Sequence, residues 1–212
     1  MLDALIRGFQ GGGPFMFAIL GVLVISVAIM VERFVFISVK NRIDTTAFVN
    51  KIIELVQKGA VNSAIELCSM SKAALPQITR AGLEEFGKGP NEIQNALELA
   101  AMAEIPKLEK RTQYLSMAAN VATLLGLLGT IFGLIDSFEA VANADASQKA
   151  TLLSQGISIA MNTTAFGLIA AIPALIGYSY IQEKTNALVD NINENVARIY
   201  RRLATPPRGK AS

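Results

Sequence analysis

The sequence has no histidine, and its only cysteine is Cys68. Without histidine it cannot build a Ser-His-Asp or Cys-His nucleophile, a His-ligated zinc site or an imidazole proton switch. A lone cysteine permits neither an intrachain disulfide nor a Cys-rich metal site. The formal net charge of +2 is too small to indicate a nucleic-acid partner. We therefore expect neither an enzyme nor a cofactor-binding protein.

Strand-like alternation and internal repeats are also lacking, whereas long uncharged runs are prominent. Residues 8–31, 112–135 and 150–182 carry no charge. A bilayer core of about 30 Å needs roughly 20 helical residues, so each run is long enough to cross it. The chain is 52% hydrophobic, with a mean hydropathy of +0.42. The sequence predicts an all-α, polytopic membrane protein with three transmembrane helices extended into a cytoplasmic helical bundle.

The distribution of lysine and arginine sets the predicted orientation. Most of these residues lie in 32–117 and in the tail beyond Gln182, which we place in the cytoplasm. We treat the first apolar run as a retained helix, because no small-residue cleavage site follows a short apolar core. The predicted parts are an N-terminal periplasmic lead-in helix (1–13), transmembrane helix 1 (14–39), a cytoplasmic helical domain (40–111), transmembrane helix 2 (112–140), a short periplasmic loop (141–150), transmembrane helix 3 (151–181), and a cytoplasmic amphipathic C-terminal helix and tail (182–212).

Three details of the polar segments carry structural expectations. Pro106 should kink or interrupt the long helix that begins near Asn91. Glu32 and Arg33 mark the end of the first span, either as an anchor whose side chains snorkel to the interface or as a salt bridge between subunits. An apolar stripe along the tail can pack tail helices of several subunits side by side. It consists of Val189, Ile192, Val196, Ile199 and Leu203.

The second span is rich in small and hydroxyl-bearing residues. Thr123 and Thr130 lie seven apart and so share one helix face. Glycines let a neighbouring backbone come close in a membrane, so four of them predict interface packing. They are Gly126, Gly129 and Gly133 in the second span and Gly167 in the third.

The third span carries Ser158, Asn162, Thr163 and Thr164 within one short stretch. In hydrocarbon such groups need hydrogen-bond partners, so the helix must face protein or water there. Two interpretations are open. Interhelical hydrogen bonding and close packing account well for Thr163 and Ser158, and the alternative is that these groups line a polar pathway.

Two long motifs resemble one known family. NVATLLGLLGTIFGLIDSF, residues 120–138, resembles the second transmembrane helix of the MotA/TolQ/ExbB proton-channel family, and GISIAMNTTAFGLIAAIP, residues 156–173, resembles its third. With Glu32-Arg33 at the end of the first run, the resemblance covers nearly the whole chain. The chain length and three spans indicate the TolQ/ExbB branch rather than the larger four-helix flagellar branch.

The resemblance implies an ion pathway. Thr130 and Thr164 match the family's paired pore threonines, near an aspartate on a partner's membrane helix. Hydroxyls are polar enough to replace water around an ion and too weak to trap it. Asp136 and Glu139 form a candidate outer entrance that attracts cations, with simple solvation as the alternative. The predicted pore-lining residues are Thr130, Thr164, Asn162, Ser158, Thr163 and Thr123.

Two positions depart from the family pattern. Ile159 stands where many members carry a glutamate, and Thr123 stands where many carry a proline. This chain thus offers no carboxylate at mid-membrane, and the resemblance assigns the proton-binding group to the partner. Asn162 and Thr163 add oxygen ligands that sodium accepts. We expect no cofactor, with protons as the translocated ion and sodium as the alternative.

The resemblance also implies partners and a location. It implies a homopentamer in the bacterial inner membrane, with its N-terminus in the periplasm and its C-terminus in the cytoplasm. The ring would enclose an ExbD/TolR-like single-span dimer, act on a TonB- or TolA-like protein, and contact lipid but not nucleic acid. Such a stator subunit couples the ion-motive force to outer-membrane transport, envelope maintenance or surface motility. The alternative is a non-conducting membrane scaffold.

Overall fold

The structure is a computed structural model that describes residues 13–41 and 43–205. Apart from Gly13, the predicted lead-in helix lies outside the described residues, and so does the tail beyond Thr205. The described residues contain no β-strand. Their helices are α1 (Phe15–Val35), a π-helical turn (Phe36–Lys40), α2 (Thr45–Gln57), α3 (Val61–Ser69), α4 (Ala74–Glu84), α5 (Pro90–Glu109), α6 (Gln113–Ala142) and α7 (Lys149–Leu203).

Three apolar stretches are long enough to cross a membrane, and they confirm the predicted fold class. They fall within Phe15–Ser38, Pro90–Ala142 and Lys149–Leu203. Helix α7 contains 55 residues, which corresponds to about 80 Å at 1.5 Å per residue. The third span and the predicted tail helix are therefore one continuous helix.

The chain divides into two compact units. We call the first the membrane unit; its described residues are 13–32 and 111–180, and it contains α1, α6 and the first part of α7. We call the second the polar bundle; its described residues are 33–41, 43–110 and 181–205, and it contains α2 to α5 and the last part of α7.

The membrane unit is held together by small side chains. Ile19 of α1 is buried among alanines of α6 and α7. Because lipid tails are as apolar as leucine, burying large side chains gains little there, and close approach of helix backbones supplies dispersion contacts instead. Large apolar side chains such as Phe17, Leu124 and Ile176 are accordingly exposed on the outside of the unit.

The polar bundle has a core of large aliphatic side chains, and the tail stripe forms part of that core. Ile192, Ile199 and Leu203 are buried with residues of α2 to α5, and Val189 and Val196 pack against them. The expectation that this stripe joins the tails of different subunits is therefore wrong. Helices α2 to α5 of the same chain cover it and remove its apolar area from water.

Pro106 does not interrupt α5, which continues to Glu109. The carbonyl that Pro106 cannot bond belongs to Met102, on an exposed face of α5 where water can satisfy it. The break comes at 110–112 instead. There Arg111 has a φ of +70°, the only positive φ of a non-glycine residue in the described part of the chain.

Glu32 and Arg33 find their partners within the chain. In the membrane unit, Arg111 Nη1 lies 2.8 Å from Glu32 Oε1. In the polar bundle, Arg33 is only 5% exposed and its Nη1 donates to the Lys110 carbonyl oxygen at 2.7 Å. The Lys110 carbonyl lies at the C-terminal end of α5, where carbonyl groups have no N–H partner within the helix. A positive charge there also interacts favourably with the helix dipole. Arg33 is therefore buried rather than snorkelling, and Glu32 has an ion-pair partner within its own chain.

Candidate functional site

Helices α6 and α7 touch along a row of glycines in the membrane unit. A Cβ placed on Gly126 would lie 3.2 Å from Gly167 Cα, and one on Gly167 would lie 2.8 Å from the Ala122 carbonyl oxygen. A Cβ on Gly129 would overlap Thr163 Cγ2. Side chains at these glycines would push the two backbones apart.

The same row continues towards the other end of α6. Gly133 faces Ala160, and Gly156 faces Ser137. Residue numbers fall along α7 as they rise along α6, so the two helices run antiparallel. The four predicted packing glycines all lie on this contact, and Gly156 joins them. Sequence reasoning missed Gly156, although small residues recur in steps of three and four from it through Ala160, Thr163 and Gly167.

Thr164 and Thr130 flank this contact and are both half-buried. Thr164 Oγ1 donates across the helix pair to the Gly126 carbonyl oxygen at 3.2 Å. Thr130 Oγ1 donates within α6 to the Leu127 carbonyl oxygen at 2.6 Å. Each hydroxyl proton is thus held by a backbone carbonyl, and each oxygen keeps lone pairs that can accept a hydrogen bond or approach a cation.

The two threonines lie on the same side of the helix pair. Successive residues of a helix are rotated by about 100° around its axis. On each helix we measure rotation from the mean direction of the residues that touch the other helix, which we call the contact line. Thr130 is rotated by about 60° from that direction on α6, and Thr164 by about 70° on α7. Both rotations have the same sense, the one in which a helix turns as the residue number increases. Because the two helices are antiparallel, rotations of the same sense bring both side chains to the same side of the helix pair. Thr123 is exposed on this side as well, and its hydroxyl donates to the Ala119 carbonyl oxygen at 3.0 Å.

Helix α1 covers the opposite side of the pair. The rings of Phe15 and Phe132 have centroids 5.4 Å apart, and Met30 packs on Gly177. Phe132 and Gly177 are rotated from the contact lines in the sense opposite to the threonines, by about 100° and 70°. The side that carries Thr123, Thr130 and Thr164 is therefore left uncovered by α1.

The other polar residues of the third span do not join this side. Thr163 is 1% exposed, packs on Gly129 and donates to the Ile159 carbonyl oxygen at 2.8 Å. Ser158 is exposed and Asn162 is half-buried; they stand about 170° and 130° from the contact line, on the part of α7 turned away from α6. The six predicted pore-lining residues thus fall into three separate places.

Asp136 and Glu139 are exposed near the end of α6. Asn143 Nδ2 donates to the Glu139 backbone oxygen at 3.2 Å, which closes that helix end. No group of three or more metal-ligating acidic, cysteine or histidine side chains occurs within residues 13–41 and 43–205. The arrangement offers hydroxyl oxygens on one uncovered side of the membrane unit, and such oxygens can contact a cation.

Comparison with known proteins gives a consistent picture. Residues 70–194 match the model of the MotA/TolQ/ExbB proton channel family. The biopolymer transport protein ExbB-like 3 of Synechocystis is 29% identical over 95% of this chain and 97% of its own length. The Tol-Pal system protein TolQ of Haemophilus influenzae is 35% identical over 53% of this chain and 54% of its own length.

A solved structure shares the fold. The structure of MotAB from C. jejuni matches with a TM-score of 0.59 at 15% identity, over 95% of this chain and 79% of that one. At that identity the likeness concerns the fold alone. The names of the two sequence relatives describe a biopolymer transport protein and a Tol-Pal system protein, and neither name describes an enzyme.

Proposed function

The chain belongs to the MotA/TolQ/ExbB proton channel family, and from that membership we propose that it is an ion-conducting subunit of an inner-membrane motor. It couples the ion-motive force to movement of an ExbD/TolR-like partner. The excess of lysine and arginine in 32–117 and in the tail supports a periplasmic N-terminus and a cytoplasmic C-terminus. The movement of the partner drives outer-membrane transport, envelope maintenance or surface motility.

One observation carries the proposal: Thr123, Thr130 and Thr164 share the side of the α6–α7 pair that lies opposite α1. Their hydroxyl protons are bonded to backbone carbonyls, so the side presents oxygen acceptors. Acceptors of this kind can replace part of the water around a cation without holding it tightly. We infer that this side lines the pathway.

The pathway needs walls that one chain does not supply. Two helices present a surface rather than a closed channel, so the uncovered side must face other protein in a hydrocarbon environment. A homopentamer brings five such sides together around the single-span helices of the partner dimer. A TonB- or TolA-like protein then receives the movement. The names of the relatives, a biopolymer transport protein and a Tol-Pal system protein, support this class of machine.

We propose protons as the translocated ion, with the titrating carboxyl on the partner. Residues 14–31, 112–135 and 150–182 of this chain carry no acid. A membrane potential supplies about 2.3 kcal/mol per charge per 100 mV. That is sufficient to exchange a few side-chain contacts in each step.

The test is ion flux into proteoliposomes that hold this protein with its partner, under a membrane potential and either a proton or a sodium gradient. We expect Thr164→Val to lower the flux at least about tenfold, because it removes a pathway oxygen and keeps the side-chain shape, a loss of about 1.4 kcal/mol of barrier stabilisation. Thr163→Val is the matched control. It makes the same change one residue away at the buried contact, so flux should stay within twofold of wild type.

The second candidate is a scaffold that conducts nothing. Its support is that the hydroxyls of Thr123, Thr130 and Thr164 already have backbone acceptors, so packing alone can explain them. Equal flux from wild type, Thr164→Val and Thr163→Val, or no flux above empty liposomes from an intact complex, would favour the scaffold.

A further inference from the structure

We propose that the outer half of the ion pathway is a hydrophobic gate formed by Leu134, Phe138, Ile157 and Met161. This gate deepens the proposed function, on which it rests, because it locates where the pathway is closed at rest. With the orientation proposed above, the outer half runs from Thr130 towards the periplasmic end of α6. The inner half runs from Thr130 towards the cytoplasmic end, where α6 begins.

The side of the α6–α7 pair that bears the threonines becomes apolar beyond Thr130. On α6, Leu134 and Phe138 are rotated by about 100° and 140° from the contact line, in the same sense as Thr130. On α7, Ile157 and Met161 are rotated by about 90° and 130° in that sense. All four side chains are exposed in this chain, so they are available to line a space between the helix pair and its neighbours.

These four side chains also lie at a similar depth. Because Gly133 faces Ala160 in the antiparallel pair, Ile157 and Met161 lie level with residues 132–136 of α6. At 1.5 Å per residue, this stretch and the half-turn that follows it form an apolar band about 10 Å deep.

Within the described parts of α6 and α7, no polar side chain interrupts this band. Ser137 is the nearest hydroxyl, but it is buried at the contact with Gly156 and donates to the Leu152 carbonyl oxygen at 3.4 Å. Asp136 and Glu139 are rotated from the contact line by about 60° and 120° in the opposite sense. Both acids therefore lie away from the band.

The inner half of the same side carries polar groups. Ser116, Asn120 and Thr123 are rotated by about 100°, 140° and 80° from the contact line, in the sense of Thr130. Asn120 and Thr123 are exposed, and Ser116 is half-buried. Three leucines also lie there: Leu127, Leu168 and Leu175. The inner half is thus mixed, whereas the outer half is apolar.

Water should treat the two halves differently. An amide or hydroxyl inside the uncharged run 112–135 needs water or a protein partner, so Asn120 and Thr123 favour a hydrated inner half. Apolar enclosures stay dry, and a hydrophobic constriction closes a channel by dewetting. A hydrated row of oxygens across the whole membrane would dissipate the ion gradient continuously. The apolar band therefore keeps the pathway closed until movement of the partner widens it.

The reaction of introduced thiols with a small charged methanethiosulfonate reagent tests where water reaches. The experiment uses the complex with its partner in proteoliposomes, with the reagent on both sides of the membrane, and Cys68→Ser removes the native thiol. Without a membrane potential, we expect Thr123→Cys to react at least about tenfold faster than Leu134→Cys, because the reagent needs water to approach.

Leu134→Ser tests the gate itself, because a hydroxyl makes the band easier to wet. In the flux assay described above, we expect at least about threefold more flux than from wild type. Ile135→Ser is the matched control. It makes a similar change at the next residue, which is exposed but rotated by about 160° in the opposite sense, so its flux should stay within twofold of wild type. Met161→Ser places a hydroxyl in the band from α7 and serves if Leu134→Ser does not assemble.

Two outcomes overturn the gate. The first is an equal thiol reaction at positions 123 and 134, because water would then reach both halves. The second is a flux from Leu134→Ser and Met161→Ser that is no higher than the flux from Ile135→Ser. Absence of flux from every variant would instead overturn the proposed function, and the thiol reaction would still show whether only the inner half is wet.

Discussion

The membrane unit and the polar bundle are both helical, but different kinds of residue hold them together. In the polar bundle, large side chains such as Ile52, Ile78 and Leu83 fill the core. In the membrane unit, α6 and α7 meet at Gly126 and Gly167, and many large side chains point outwards. The difference follows from the solvent. In water, burial of apolar surface stabilises a fold by about 25 cal/mol per Å². In lipid, the same burial gives no hydrophobic stabilisation.

This difference predicts which kind of substitution should destabilise each unit. The polar bundle depends on apolar volume, so it should be most sensitive to the removal of atoms. The membrane unit depends on close approach of backbones, so it should be most sensitive to the addition of atoms. Two substitutions with matched controls examine that difference, and a third measures a surface charge of the polar bundle.

The largest effect is expected for Gly167→Val. A Cβ at Gly167 would already lie 2.8 Å from the Ala122 carbonyl oxygen and 3.0 Å from Gly126 Cα, and backbone cannot rotate away as a side chain can. We expect at least about 3 kcal/mol of destabilisation, with little monodisperse protein recovered in detergent.

Gly21→Val is the control for this change. Gly21 lies on α1, and a Cβ there would have no neighbour within 4 Å. Equal recovery and equal melting temperatures for the two variants would mean that close packing does not hold the membrane unit together.

The second effect is expected for Ile78→Ala in the polar bundle. Ile78 is fully buried, and the loss of its side-chain atoms should cost about 2–5 kcal/mol. The measurement is hydrogen exchange of the α4 and α5 amides in the full chain. Met70→Ala is the control, since Met70 is 82% exposed and its truncation should stay within about 0.5 kcal/mol. Similar protection in the two variants would contradict an aliphatic core as the main stabilising element.

The smallest effect is expected for Glu54→Gln on the surface of the polar bundle. Hydrogen bonds from Lys58, and then from Lys51, lower the pKa of Glu54 below its usual 4.5. A lowered folded pKa stabilises the protein above the unfolded pKa, and this contribution is lost as the pH falls through the folded value. Because the group is exposed, the effect should be small.

Melting temperatures across pH check this prediction. The difference between wild type and Glu54→Gln should be slight at pH 7 and vanish on acidification below 4.5. A difference that grows towards acid pH would show that the sign of the linkage is wrong.

Much of the fold could be predicted because helices are local structures. The uncharged runs predict the spans, and the glycines of α6 predict a close contact whose partner, α7, carries Gly167. The sequence also contains the angular separation of Asn162 from Thr164, because residues two positions apart are rotated by about 200° around a helix. We predicted them in one pathway because they lie close together in the sequence.

Other features could not be read from the chain. The ion pair of Glu32 with Arg111 joins residues 79 apart, and neither charge has a sequence neighbour that identifies its partner. The tail stripe has the spacing of a helix that packs on something apolar, but this spacing is the same whether the covering helices belong to the same chain or to another. Only the packed polar bundle assigns the stripe to α2 to α5.

The sequence by itself determined the all-α class, the three membrane-spanning stretches and the small residues at which helices can touch. These depend on hydropathy, helical period and side-chain size, which are properties of a single segment. The tertiary structure decided which helix faces which. It set Thr130 and Thr164 on the same side of the α6–α7 pair, left that side uncovered by α1 and turned Asn162 away from it. These outcomes depend on how several helices pack at once, and local periodicity permits more than one such arrangement.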